Sequence, residues 1–279
     1  FHPVERCYIP CMARPAPDAL YGADSLAWRM NRQSFVLLGG PRAAILQVCD
    51  PGVAAGVAEF SSYGTDPLGR LERTLESMLA ISFGSPERRE ATLAGLERAH
   101  ASVAGELADG TPYSALEPDR QFWVLATLTD TVIEVDRRYL GWMGPAERVA
   151  YYEETKRLAD AFGVPSNLVP RDYREFREYF DGMVANLQPT EDSVDIATSL
   201  MSPSIPHVPG PAWVPLNLVT TDLLPTRLQH ALGIRDLYPG ELAMVRAAQV
   251  ATRNSLAHLA GSWADNPVLR RRRLVHRAA

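Results

Sequence analysis

Two pairs of a polar residue and a proline, Asp66-Pro67 and Ser85-Pro86, constrain the fold of this chain more than any other feature. A short polar side chain caps the free N–H groups at a helix start, and proline fits the first helical position. The first pair predicts a helix that ends near Gly84, and the second predicts a helix that ends near Gly105. Two consecutive helices joined by a tight turn indicate a helical protein.

Similar signals recur along the chain, whereas alternating strand patterns are few. Further helices are predicted at Ser25 to Arg32, Ser34 to Leu38, Arg42 to Cys49, Gly52 to Ser61, Pro118 to Leu140, Pro145 to Phe162, Arg171 to Leu187, Thr190 to Leu200, Asp222 to Leu232 and Pro239 to Trp263. We therefore predict an all-α fold with one large helical domain over residues 1–279 and a buried pocket between its helices.

Composition and charge exclude several classes of protein. A hydrophobic fraction of 46% and a charged fraction of 22% are typical of globular proteins, and a net charge of -5 argues against nucleic-acid binding. The basic run Arg270 to Arg273 is expected to be a solvated helix end or an oligomer contact. Cys7, Cys11 and Cys49 fit no secreted disulfide pattern.

No membrane span is predicted, because the longest uncharged stretch, Ile196 to Thr221, contains five prolines that interrupt a helix. The sequence shows no signal-peptide pattern, and we expect a cytoplasmic location. The Pro-rich passage from Pro203 to Pro215 is long for a loop, and such loops line binding sites or contact a neighbouring subunit. A homodimer is therefore one expectation.

Polar groups interrupt the apolar stripes of the two central helices. Arg70, Arg73 and Thr74 project from one sector beside the stripe of the first helix. In the second helix, His100 falls in a face of apolar residues that we expect to be buried, formed by Leu93, Leu96, Val103 and Leu107. A histidine in that setting is either a hydrogen-bonded core imidazole or a ligand of haem iron.

Several short motifs between Gly39 and Val184 occur in an order and at spacings typical of one family. They are Gly39-Gly40-Pro41-Arg42-Ala43, Gly56-Val57-Ala58-Glu59, Asp66-Pro67 with Arg70 and Arg73-Thr74, His100, Asp109-Gly110-Thr111-Pro112-Tyr113, Trp123-Val124, Tyr151-Tyr152, and Phe176-Arg177 with Tyr179. On these residues the chain resembles the bacterial branch of the mpaB and rubber oxygenase (latex clearing protein) family of haem oxygenases.

The resemblance implies a cofactor, a reaction and roles for residues. It implies haem b, with His100 as the proximal iron ligand and Arg70 and Thr74 in a polar cluster of the haem pocket. We expect Arg42 to bind a haem propionate and Arg73 to contact a propionate or to polarise bound oxygen. Glu59 is either a pocket carboxylate, which acts as a general base or orients a neighbouring arginine, or a surface carboxylate at a helix end. The implied function is oxidation of a small apolar organic substrate, natural-product or isoprenoid-like, by dioxygen or peroxide.

The chain departs from the family pattern at positions that carry chemistry. Rubber oxygenases have a lysine in place of Arg73, and bacterial relatives commonly have histidine in place of Asp50, Phe60 and Leu125. Arginine stays protonated and is a poor metal ligand. These departures indicate a different substrate or reaction, or a loss of activity. Two alternatives therefore stay open, namely a non-catalytic haem sensor or carrier and a haem-free helical protein with an altered cavity.

Two other features carry weaker predictions. Asp130, Glu134 and Asp136 lie on one predicted helix and are expected to form a solvated acidic face. His207, in the Pro-rich passage, is expected to be an exposed loop residue, and the alternative is a second group on the haem or substrate side.

Overall fold

The computed structural model describes residues 14–61, 63, 66–203, 205 and 207–256. This part of the chain is predominantly helical and has two short strands, which confirms the all-α prediction. Its helices are α1 Leu26–Asn31, α2 Gly40–Val48, α3 Pro51–Phe60, α4 Pro67–Phe83, α5 Pro86–His100, α6 Pro118–Val135, α7 Pro145–Ala161, α8 Tyr173–Asn186, α9 Glu191–Met201, α10 Val214–Leu223, α11 Thr226–Ala231 and α12 Pro239–Leu256. Strands β1 Ala104–Glu106 and β2 Pro112–Ser114 form an antiparallel hairpin.

The two proline-marked helix starts are confirmed. The Asp66 carboxylate accepts a hydrogen bond of 3.0 Å from the backbone N–H of Gly69 at the start of α4. The Ser85 hydroxyl accepts one of 3.4 Å from the N–H of Arg88 at the start of α5. Both caps satisfy N–H groups that have no partner inside the helix, and α4 and α5 therefore follow each other across a tight turn.

The predicted end of the second central helix is wrong. Helix α5 ends at His100, and the backbone N–H of Val103 donates to the carbonyl oxygen of His100 at 2.9 Å in the turn that follows. The chain then enters the β1–β2 hairpin, in which Gly105 pairs with Tyr113. A strand of three residues is too short to show an alternating pattern. The apolar residues after His100 also keep the spacing of three and four that is typical of a helix, and this spacing led to the prediction of a longer helix.

The C-terminal third also differs from the prediction. Helix α10 begins at Val214, inside the passage predicted as a loop, and ends at Leu223. The segment predicted as one helix from Asp222 to Leu232 is divided, because Pro225 precedes the separate helix α11. The predicted helix end at Trp263, the basic run Arg270 to Arg273, and Cys7 and Cys11 lie outside the described residues.

The hydrophobic core surrounds α6, which packs against α2 and α7. Trp123 of α6 is wholly buried, and its indole N–H donates to the carbonyl oxygen of Leu46 in α2 at 3.1 Å. Its ring lies 5.5 Å from that of Phe180 in α8, measured between centroids. Aromatic packing continues through Phe176 to Tyr152 of α7, whose ring centroids are 4.6 Å apart. This packing fixes α8 on α6 and α7.

The predicted solvated acidic face on α6 is wrong. Asp130 and Asp136 are both fully buried. Asp130 accepts hydrogen bonds from Arg42 and Arg177, and Asp136 accepts them from the backbone N–H groups of Trp142 and Met143. Burial raises the pKa of Asp136. These carboxylates hold α2, α8 and the end of α6 together instead of facing solvent.

The described residues include no single helix that is long and apolar enough to cross a membrane. One bent pair, residues 34–48 with α3, reaches that length and hydropathy only when its two parts are taken together, and these parts meet at an angle of 107°.

Candidate functional site

The α4–α5 pair carries the two most informative polar residues, Arg70 and His100. The two helices pack against each other and are connected through Gly84 and Ser85. Arg70 lies in the first turn of α4, and His100 is the last residue of α5. Both residues therefore lie at the end of the helix pair that is remote from the connecting turn.

His100 is half-buried, and its ring makes no hydrogen bond within the described part of the chain. Burial lowers the pKa of the imidazole, which keeps the ring neutral at neutral pH. A neutral imidazole has a free lone pair and is the form that binds metals. The apolar face predicted around His100 is half-buried rather than buried: α5 has no fully buried side chain, and Leu93 and Leu96 pack against the core while partly exposed.

Arg70 is a half-buried cation without a carboxylate partner among the described residues. Burial lowers the pKa of its guanidinium, and the neighbouring charge of Arg73 lowers it further. A partly desolvated guanidinium is favourable only with an anion beside it, so this end of α4 is suited to bind one.

Arg73 and Thr74 face solvent at the same end of α4. Arg73 forms an ion pair of 3.1 Å with Asp66, and the two side chains are 60% and 52% exposed. Hydrogen bonding to Arg73 is the main cause that lowers the pKa of Asp66. Thr74 is exposed, and its hydroxyl donates to the backbone carbonyl of Arg70 at 2.9 Å. The predicted cluster thus divides into a half-buried Arg70 and two exposed residues.

Arg42 lies in a different environment from the one predicted. Its side chain is 2% exposed, and each guanidinium nitrogen is engaged within the protein. Nε donates to the carbonyl oxygen of Leu223 at 2.8 Å, Nη1 to the Thr131 hydroxyl at 2.6 Å and Nη2 to Asp130 at 2.5 Å. Its burial and these three partners assign Arg42 to the core and leave it no exposed nitrogen with which to bind a haem propionate.

Glu59 is exposed at the end of α3 and accepts a hydrogen bond of 3.1 Å from the hydroxyl of Tyr113 in β2. Tyr113 is buried. Its pKa is raised first by burial and then by Glu59. The hairpin that begins just after His100 thereby contacts the carboxylate at the end of α3.

His207 lies in a turn and is exposed, as predicted for a loop residue. It has a positive φ of 66°, which is uncommon outside glycine.

No group of three or more histidine, cysteine, aspartate or glutamate residues in the described ranges is arranged to hold a bare metal ion. Haem iron needs fewer protein ligands, because the porphyrin supplies four nitrogens and one imidazole completes the proximal side. The donor set at the α4–α5 end, a neutral imidazole and a guanidinium without a carboxylate partner, fits an iron porphyrin with carboxylate substituents.

The profile of one family, described as ER-bound oxygenase mpaB/B′ and rubber oxygenase, catalytic domain, matches residues 28–254. The chain belongs to this mpaB/rubber oxygenase family. Uncharacterized proteins of Mycobacterium bovis and Mycobacterium tuberculosis are each 27% identical to it over 148 residues. That match covers 52% of this chain and 58% of each relative. No solved structure shows significant similarity to the chain.

At two of the positions where we expected histidine from the mpaB/rubber oxygenase resemblance, the residues present have structural roles. Asp50 caps α3 by accepting a hydrogen bond of 2.9 Å from the N–H of Val53, and it also accepts one of 3.0 Å from Arg120. Leu125 is buried in the core of α6. Phe60, at the third such position, is 44% exposed.

Sequence patterns missed several polar residues that shape this region. The contact of Tyr113 with Glu59 and that of Arg120 with Asp50 were not predicted, because each contact joins elements far apart in the sequence. One local signal was available for Tyr113. Asp109-Gly110 is a common hairpin turn, and Gly110 has the positive φ of 83° that such a turn requires. A predicted hairpin would have placed Tyr113 opposite Gly105.

Proposed function

We propose that this member of the mpaB/rubber oxygenase family is a haem b-dependent oxygenase or peroxygenase that oxidises a small apolar organic substrate. Family membership over residues 28–254 is the observation that carries the proposal, since the family is described as an oxygenase catalytic domain. The chemistry of the α4–α5 end supports haem as the cofactor.

In this proposal His100 binds the haem iron. Burial lowers the pKa of its imidazole, so the ring is available as a neutral ligand, and no described side chain competes for its nitrogens. Arg70 binds a propionate, which supplies the anion that its half-buried guanidinium lacks. Bound haem supplies the activation of dioxygen or peroxide.

The remaining residues of the region act on protons and charge. Glu59 ends α3 with a carboxylate held by Tyr113, and it can accept a proton from a substrate or from an incoming ligand. Arg73 and Thr74 keep the surface beside Arg70 polar, and Arg73 stabilises negative charge that develops there. Arg42 has no part in the proposed site.

The test is the visible absorption spectrum of the purified protein after addition of haemin, recorded before and after reduction with dithionite. We expect a Soret band that shifts on reduction in the wild type and is lost or greatly weakened in His100→Ala. His230→Ala is the matched control, because His230 is exposed and pairs with the exposed Asp236 at 3.0 Å.

Three outcomes separate the alternatives. A wild type that binds no added haemin refutes the haem proposal and favours a haem-free helical protein. Equal haem binding by wild type and His100→Ala refutes the role of His100. Haem binding through His100 without turnover of dioxygen or peroxide favours a sensor or carrier. A cytoplasmic location and a homodimer stay predictions.

A further inference from the structure

The β1–β2 hairpin connects the end of α5 directly to the end of α3. Backbone hydrogen bonds run from the N–H of Val103 to the carbonyl of His100 and from the N–H of Ala115 to the carbonyl of Val103, each at 2.9 Å. The position of the hairpin is therefore fixed relative to His100 before any side chain is considered.

Glycines on both sides of Tyr113 allow this hairpin to pack closely. A Cβ atom at Gly56 of α3 would lie 2.9 Å from Cγ1 of Val103, and one at Gly105 of β1 would lie 3.0 Å from the Tyr113 ring. Real Cβ atoms essentially never approach other atoms at the first of these distances. The ring of Tyr113 is thus enclosed by backbone, and its hydroxyl has a fixed position from which it donates to Glu59 at 3.1 Å.

Tyr113 is well placed to orient a carboxylate that is otherwise free to move. Glu59 is exposed, and a glutamate side chain on a surface samples several rotamers. A hydrogen bond from a buried, backbone-enclosed hydroxyl selects the rotamers that point toward the hairpin. The hairpin in turn follows the short turn after His100, the last residue of α5.

We propose that Tyr113 is a positioning residue that holds the Glu59 carboxylate toward the His100 side of α3 for proton transfer. This inference rests on the proposed function, because it assumes that Glu59 accepts a proton from a molecule bound opposite His100. In that step the bond between the bound molecule and its acidic hydrogen breaks, an O–H or N–H bond or, in hydrogen cyanide, the C–H bond, and the proton moves to an oxygen of Glu59. The Tyr113 hydroxyl keeps its own proton throughout.

Cyanide is a suitable probe, because hydrogen cyanide must lose its proton to a base as cyanide binds ferric haem. The rate constant of cyanide association with the haem-loaded protein is measured from the change of the Soret band. We expect Glu59→Gln to slow association about 100-fold, as the loss of a general base does. Tyr113→Phe, which keeps the ring and removes one hydrogen bond to a charged group, slows it about tenfold.

The double variant and a neighbouring carboxylate distinguish positioning from packing. If Tyr113 acts only through Glu59, the double variant is no slower than Glu59→Gln alone. Asp192 of α9 is the matched control, because its exposed carboxylate is the other one that raises the pKa of Tyr113. We expect Asp192→Asn to stay within about twofold of the wild type.

Each contrary result has a distinct meaning. The positioning role is overturned if Tyr113→Phe associates with cyanide at the wild-type rate. It is also overturned if Tyr113→Phe slows cyanide association equally in the wild type and in Glu59→Gln. A Glu59→Gln variant that binds haem and associates with cyanide at the wild-type rate also overturns the positioning role, while the proposed function stands. A wild type without a Soret band overturns the proposed function and this inference with it.

Discussion

Replacement of Asp130 by asparagine tests the buried charge network that joins α2, α6 and α8. One carboxylate oxygen of Asp130 accepts from Arg42 at 2.5 Å, and the other accepts from Arg177. Asparagine preserves the size of the side chain, but it removes the charge and turns an N–H donor toward a guanidinium. Arg42, 2% exposed, then loses the carboxylate that forms its ion pair.

The expected loss of stability follows from these two contacts. Removal of one partner from a buried ion pair costs about 3–5 kcal/mol. The contribution of Arg177 is smaller than that of Arg42, because its side chain is 32% exposed and keeps a second partner, Asp181, at 2.7 Å. We therefore expect a loss of about 4 kcal/mol, which lowers Tm by about 10 °C in a domain of this size.

The free energy of unfolding is measured by urea titration with circular dichroism. Asp181→Asn is the control, since it breaks a surface ion pair of Arg177 and should change stability by less than about 1 kcal/mol. A loss in Asp130→Asn no larger than that of the control refutes the argument. If Asp130→Asn does not fold, the double change Arg42→Met with Asp130→Leu provides the test, because removal of both charges recovers most of the stability.

Two further predictions concern packing and pH. Gly56→Ala should destabilise the protein by about 1–3 kcal/mol, because the added Cβ meets Val103. Gly95→Ala should stabilise it by about 0.5–1 kcal/mol, because the added Cβ has space in α5. Urea titration of both variants measures whether the two changes in unfolding free energy have opposite signs. Glu175 has its pKa lowered from 4.5 to about 2, chiefly by a hydrogen bond from Arg171, so its contribution to stability is present above pH 4.5 and is lost as the pH falls toward 2. As the pH falls from 4.5 toward 2, the unfolding free energy of Glu175→Gln should therefore decrease less than that of the wild type. Parallel curves of unfolding free energy against pH for the two proteins would contradict this.

Local sequence signals predicted the helix starts well. A side-chain cap and a proline act within four residues, so Asp66-Pro67 and Ser85-Pro86 determine where α4 and α5 begin whatever surrounds them. The end of α5 was missed for the converse reason. Apolar residues spaced by three and four continue past His100, and only the turn at Asp109-Gly110 marks the hairpin.

Contacts between distant elements could not be predicted from one sequence. Asp130 lies on α6, and its burial depends on partners from elements far away in the sequence, Arg42 of α2 and Arg177 of α8. For the same reason Arg42 could be mistaken for a cofactor ligand. The placement of Arg70 and His100 at one end of a helix pair, in contrast, follows from the tight turn that joins α4 and α5.

The interlocked start of α3 has a consequence for substitution at its cap position. Asp50 serves both as the cap of α3 and as a counter-ion of Arg120, and Gly52 leaves the space that the Arg120 guanidinium fills. Histidine at position 50 would remove the cap and the carboxylate together, and it would leave Arg120 with Glu117 as its carboxylate partner among the described residues. Asp50, Gly52 and Arg120 are therefore coupled, and a substitution at one of them changes which residues the other two positions can hold.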